Sequence, residues 1–182
     1  DCDPNCVRAS IALGRLEGDA ANHRAAIAAL ARVEEQDADF LPETIPVLRA
    51  CYHELGEAEA FSRYLRECLD KHPSTPLVIA VADDIQGREG SDAARAFLAE
   101  RLAEVPSLRG LLKLIRLQGA APQDPDAGDA MAMLSVLLDR LIEERPVFRC
   151  SHCGFSAKHL LWFCPGCKYW GTSRTIRTTQ AE

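Results

Sequence analysis

Four cysteines late in the sequence are spaced for metal chemistry. Cys150 and Cys153 form one C-x-x-C unit, Cys164 and Cys167 a second, and ten residues separate them. A C-x-x-C turn can place two thiolates on one ion, and two such turns complete a tetrahedron. Gly154, directly after the first unit, suits a turn that needs a left-handed residue and frees backbone N–H groups to donate to sulfur. Pro165 stiffens the second turn. Four thiolates leave no open coordination position, so the pattern predicts one structural ion, zinc or iron, in place of a Lewis-acid catalyst. The closed site would keep about two negative charges, which Arg149, Lys158 and Lys168 could offset. His152 and His159 are nearby but are read as surface residues, since the four sulfurs already complete the site.

The other four cysteines, Cys2, Cys6, Cys51 and Cys68, are scattered and read as small apolar helix residues. Paired C-x-x-C units without a secretion signal favour metal over disulfides and a reducing compartment. A redox pair of thioredoxin type is disfavoured, because there are two pairs and no βαβ setting.

The residues that must position this site divide in two by charge. Residues 145–182 carry Arg145, Arg149, Lys158, Lys168, Arg174 and Arg177 against Glu182 alone, a balance of +5, so the chain's −6 leaves −11 on residues 1–144. Phe148, Phe155, Trp162, Phe163, Tyr169 and Trp170 concentrate in the same short tail. With 47% hydrophobic and 26% charged residues the chain can bury a core and is not disordered by composition. Only 6% are aromatic while alanine recurs, which favours closely packed helices over a β-sandwich. No run approaches the roughly 18 apolar residues of a membrane span.

Helical patterns in the acidic body recur at a near-constant interval. Asp-Pro at 3–4 is followed by Asp-Ala at 37–38, His-Pro at 72–73, Val-Pro at 105–106 and, after a longer interval, Arg-Pro at 145–146. Each mark ends one helix pattern and opens another. Helix pairs are predicted at 6–17 and 20–36, 42–55 and 57–71, 75–86 and 91–104, and 107–118 and 127–144, each antiparallel across a short connection. In the first unit Val7, Ile11, Leu13 and Leu16 are read as one apolar stripe and Ala26, Ile27, Leu30 and Val33 as the next. Gly14, Gly56 and Gly87 are read as positions of close approach or turning. Arg8, Arg15, Arg24, Arg49, Arg63 and Arg66 could line a concave groove, although ordinary surface pairing is the simpler reading.

A helix–turn–helix unit of this length resembles the tetratricopeptide repeat. Leu13, Gly14, Ala26, Leu30, Asp37 and Ala38 stand where that family places its Leu, Gly, Ala, bulky residue and closing turn. The later units match more loosely, and the fourth carries an insertion over residues 120–128. The expected fold is all-α: a tetratricopeptide-like α-solenoid of helix hairpins over 1–145, with a small C-terminal rubredoxin-like metal knuckle domain over 146–182. Because the sequence starts at an inter-repeat turn without Met, the array is expected to be N-terminally truncated.

C-x-x-C-G-F at 150–155 and L-x-W-x-C-P-x-C at 160–167 are similar to the rubredoxin-type domain of the lipopolysaccharide assembly protein B family. Asp-Pro-Asn-Cys at 3–6, Arg-Val-Glu-Glu-Gln-Asp at 32–37 and Pro-Ser-Leu-Arg-Gly at 106–110 extend the resemblance over essentially the whole chain. Lys168 departs from it, standing where true rubredoxins usually have glycine. The resemblance implies a non-enzymatic adaptor at the cytoplasmic face of the bacterial inner membrane, its anchor absent from this fragment. It implies that the adaptor regulates lipopolysaccharide synthesis by helping the membrane protease FtsH degrade the deacetylase LpxC, and that it binds those proteins, with lipopolysaccharide itself a further candidate partner. It also implies that the metal module packs on the helical array through Phe148, Phe155, Trp162 and Trp170.

Two alternatives stand beside this reading. A nucleic-acid-binding zinc ribbon would explain the basic, aromatic tail, but the −11 body would repel phosphates across a Debye length. An iron electron-transfer module would make the protein red, with a reversible one-electron potential. No G-x-S-x-G, P-loop or H-E-x-x-H motif supports another kind of enzyme.

Overall fold

The computed structural model describes residue 3, residues 5–118 and residues 125–176, and for residues 125–129 the helical backbone alone. Cys2, Pro4, Arg177 and residues 120–124 of the expected insertion lie outside the described residues. The chain divides into two compact units, Asp1–Pro73 and Ser74–Glu182.

In the first unit α1 (Val7–Asp19), α2 (His23–Gln36), α3 (Leu41–Glu54) and α4 (Ala58–Lys71) follow one another, with a single 3-10 turn at Ala38–Phe40 before α3. Each helix packs on the next, and α3 also touches α1, the stacking expected of successive hairpins. α1 turns Ser10, Ile11 and Gly14 inward, whereas Leu13 and Leu16 are exposed. The apolar stripe expected through Leu13 and Leu16 is therefore corrected: small residues carry the contact. A Cβ on Gly14 would lie 2.4 Å from Leu30 Cγ, so α1 and α2 approach this closely only without a side chain there. Leu30, Val33, Leu41, Leu48, Leu65, Cys51 and Cys68 fill the core, which bears out the last two as buried helix residues.

The second unit begins with α5 (Thr75–Glu89), α6 (Ser91–Glu104), α7 (Leu108–Gln118) and α8 (Pro125–Glu144). α7 contacts both α6 and α5, and Leu112 and Ile115 of α7 pack against Leu138 of α8. Gly87 does not end α5 as expected; it sits inside the helix, where an added Cβ would meet nothing within 4 Å. The turn falls instead at Gly90, whose φ of 96° suits only glycine. Gly110 repeats the role of Gly14, since a Cβ there would meet Leu102 at 2.5 Å. Among the described residues no helix is long and apolar enough to cross a membrane.

Cross-helix ion pairs account for part of the expected arginine groove: Arg15 bonds Glu43, Arg24 bonds Glu57, and Arg49 lies over the Phe61 ring. This is the ordinary surface pairing, not a set of waiting cations.

After α8 the structure changes type. Strands β1 (Phe148–Cys150), β2 (Ser156–Ala157) and β3 (Ser173–Thr175) form an antiparallel sheet in the order β2-β1-β3. Helical repeats ending in a rubredoxin-like knuckle are thus the architecture, as the sequence pattern predicts.

Candidate metal centre

The two C-x-x-C segments fold as near-copies of one turn. In the first, the Gly154 N–H donates to the Cys150 carbonyl at 2.9 Å, and the Cys150 N–H donates to the Phe155 carbonyl at 2.8 Å. In the second, Lys168 donates to Cys164 and Cys164 donates to Tyr169, both at 2.9 Å. The fifth position is left-handed in each, with φ 77° at Gly154 and 65° at Lys168. An aromatic follows in each, which explains the shared pattern of two cysteines, a left-handed residue and a ring. A ring contact ties the copies together, His152 stacking on Tyr169 at 4.2 Å, while Phe163 and Trp170 on either side of the second turn lie 5.1 Å apart.

These turns bring Cys150, Cys153, Cys164 and Cys167 together, with all four Sγ atoms within 4.8 Å of one another. Cys150 and Cys167 sulfurs are 3.7 Å apart, and Cys153 and Cys164 sulfurs 3.6 Å. A tetrahedron with metal–sulfur bonds of about 2.3 Å has edges of about 3.8 Å, so the sulfur cage fits a single ion of that kind. The four-sulfur donor set suits zinc and iron alike. Gly166 permits the closeness of the two turns, because a Cβ on it would stand 3.3 Å from Cys153 Sγ.

The electrostatics of the cage come from close donors. The Thr172 hydroxyl, 3.2 Å from Cys150 Sγ, and then the backbone N–H groups of Cys153 and His152 hold the Cys150 thiol down at about 5, although burial opposes them. Burial, reinforced by the three neighbouring sulfurs, pushes Cys167 up to about 12 against the Tyr169 N–H that favours its thiolate. Four thiolates this close therefore require a cation among them. Thr172 was not legible as a member of this site, since only the β1–β3 pairing brings it 22 residues back to Cys150.

Other expectations resolve by position. Arg149 is exposed between buried Phe148 and Cys150, so alternation along β1 turns it to the face opposite the Cys150 side chain. Lys168 places its Nζ 5.9 Å from the Phe163 ring centroid. His152 and His159 are exposed, as surface residues should be. Of the four candidate docking aromatics, Phe148 is buried and Trp162 half-buried, while Phe155 and Trp170 are exposed.

The family model of the rubredoxin metal binding domain matches residues 148–173. Over 175 residues, 96% of this chain, the sequence is 30% identical to lipopolysaccharide assembly protein B of Escherichia coli (strain K12), of which the match covers 45%. The protein of the same name from Haemophilus influenzae is 28% identical over 95% of this chain and 44% of its own length. The chain thus spans a little under half the length of the curated relatives it matches. Along nearly all of its residues it is similar to lipopolysaccharide assembly protein B, and its last four cysteines stand in the segment that matches the rubredoxin metal binding domain.

Proposed function

We propose that this chain is the repeat-and-knuckle part of a non-enzymatic adaptor that regulates lipopolysaccharide synthesis, promoting FtsH-dependent proteolysis of the deacetylase LpxC at the cytoplasmic face of the bacterial inner membrane. The observation that carries the reading is the similarity to lipopolysaccharide assembly protein B over 96% of the chain. In this reading residues 1–145 are tetratricopeptide-like repeats that present partner-binding surface, and residues 146–182 are a metal domain. Cys150, Cys153, Cys164 and Cys167 hold one structural zinc or iron ion. A closed four-thiolate site offers no coordination position to a substrate, so the ion stabilises the fold and does not activate water.

The test is capture from solubilised bacterial membranes, comparing the chain with its Cys164→Ser/Cys167→Ser variant. Recovery of FtsH or LpxC by the intact chain and not by the variant is the expected result. Recovery of neither protein, or of nucleic acid lost on nuclease treatment, would remove the adaptor reading.

A further inference from the structure

The two knuckles are near-copies, yet their first cysteines are not held alike. Cys150 and Cys164 open the two C-x-x-C turns and are equally buried, at 5% and 4% exposure. Each lies close to one sulfur of the other turn, Cys150 3.7 Å from Cys167 and Cys164 3.6 Å from Cys153. By burial and by sulfur contact the two are interchangeable. A hydroxyl separates them: Thr172 Oγ1 lies 3.2 Å from Cys150 Sγ, whereas among the described residues no side-chain hydroxyl bonds Cys164. That hydroxyl is placed by its surroundings. The β1–β3 register pairs Cys150 with Ser173, which brings Thr172 alongside the first turn. The Thr172 carbonyl then accepts from the Ser151 N–H at 2.8 Å and from the Ser151 hydroxyl at 3.1 Å, so its backbone is fixed twice. The β-branched side chain has little χ1 freedom left. An O–H donated to a thiolate is a charge-assisted bond, roughly twice as strong as a neutral one. The second cysteine of each turn is more open, Cys153 exposed and Cys167 half-buried.

We propose that Thr172 is a positioning residue of the cage: its hydroxyl donates to the Cys150 thiolate and makes Cys150 the last ligand to let go of the ion. The cage then opens in a fixed order, Cys153 and Cys167 first, Cys164 next and Cys150 last. Burial sets the first part of that order. The hydroxyl sets the second, because it occupies a sulfur lone pair that an incoming electrophile needs, and the thiolate is the reactive form. Outer-shell partners of metal ligands commonly change metal affinity or reactivity by about tenfold or more. The ion is therefore surrendered through partial states still anchored on the first turn. This rests on the reading that the four cysteines hold one ion, which a zinc count per chain checks separately.

The experiment treats the whole zinc-loaded chain briefly with N-ethylmaleimide and follows the modification of each cysteine by peptide mass spectrometry. Cys153 and Cys167 should react first, and Cys150 about tenfold more slowly than Cys164. Thr172→Val removes the donor at nearly the same size. With one zinc per chain retained, it should bring Cys150 to the rate of Cys164 and leave Cys153 unchanged. Thr172→Ser keeps the hydroxyl and should keep the delay at Cys150. A general loosening of the knuckle would instead speed all four cysteines together, and that result in Thr172→Val would overturn the proposal. Equal rates at Cys150 and Cys164 in the unsubstituted chain, or a ratio indifferent to Thr172→Val, would also overturn it. Should Thr172→Val lose its zinc, the unsubstituted chain and Thr172→Ser decide: Cys150 last in both supports the assignment, and equal rates in either overturn it. A chain that binds no zinc would remove the metal reading and this proposal with it, an outcome seen before any alkylation is read. None of these results depends on whether FtsH or LpxC is captured from membranes.

Discussion

Lys168 holds a left-handed backbone at φ 65° that its counterpart Gly154 adopts without penalty. Such a conformation costs a non-glycine residue about 1–2 kcal/mol, and the contact of its Nζ with the Phe163 ring returns about 0.5–1 kcal/mol at most at an exposed site. Lys168→Gly should therefore stabilise the metal-loaded knuckle by about 0.5–1 kcal/mol, whereas Gly154→Ala should cost about 1–2 kcal/mol; denaturant unfolding at fixed zinc measures both. The cage predicts a pH dependence as well. Cys167 is held protonated up to about 12, so an incoming dication must displace its proton. Zinc affinity should rise about tenfold per pH unit for each displaced proton and fall in acid. Competition with a chromophoric chelator between about pH 6 and 8 reads the slope, and a flat response would refute the assignment. The four ligands were legible because their spacing is itself the turn geometry. Thr172 was not, because its approach to Cys150 depends on a strand pairing formed across 22 residues.

Helix packing shows the same division between what periodicity carries and what only contact reveals. The helix pairs were legible to within about three residues, since apolar residues recur at helical spacing and turns punctuate them. The inner face of α1 was misread because Ser10 and Gly14 carry the packing there and neither registers as hydrophobic, while Leu13 and Leu16 do and are exposed. Two substitutions at glycine separate the cases. Gly14→Ala forces a methyl to 2.4–2.5 Å from Leu30 and should destabilise by about 1–3 kcal/mol. Gly87→Ala adds a methyl with no neighbour within 4 Å inside α5 and should stabilise by about 0.5–1 kcal/mol. Thermal unfolding of the two variants should shift in opposite directions.

At the scale of the whole molecule, the helices of the first unit have a source of stability separate from the metal cage. The first unit has its own core of Leu30, Leu48, Leu65 and Val33 and contains no residue of the cage. Removing the ion with a strong chelator should abolish amide protection across residues 147–176, while the amides of α2 and α3 stay protected. Hydrogen exchange with and without chelator checks this, and loss of protection throughout would show the two to be one cooperative unit. The sheet order has a further consequence for a chain emerging from the ribosome. Strand β3, at Ser173–Thr175, follows all four cysteines, yet it pairs with β1 and delivers Thr172 to the first of them. Helices can form as soon as they leave the tunnel, but the knuckle stays incomplete until synthesis has passed its last strand. A copy that stopped at Trp170 would present every sulfur and still lack the strand that braces them. The bracing of the first cysteine is thus the last part of the cage to arrive during synthesis.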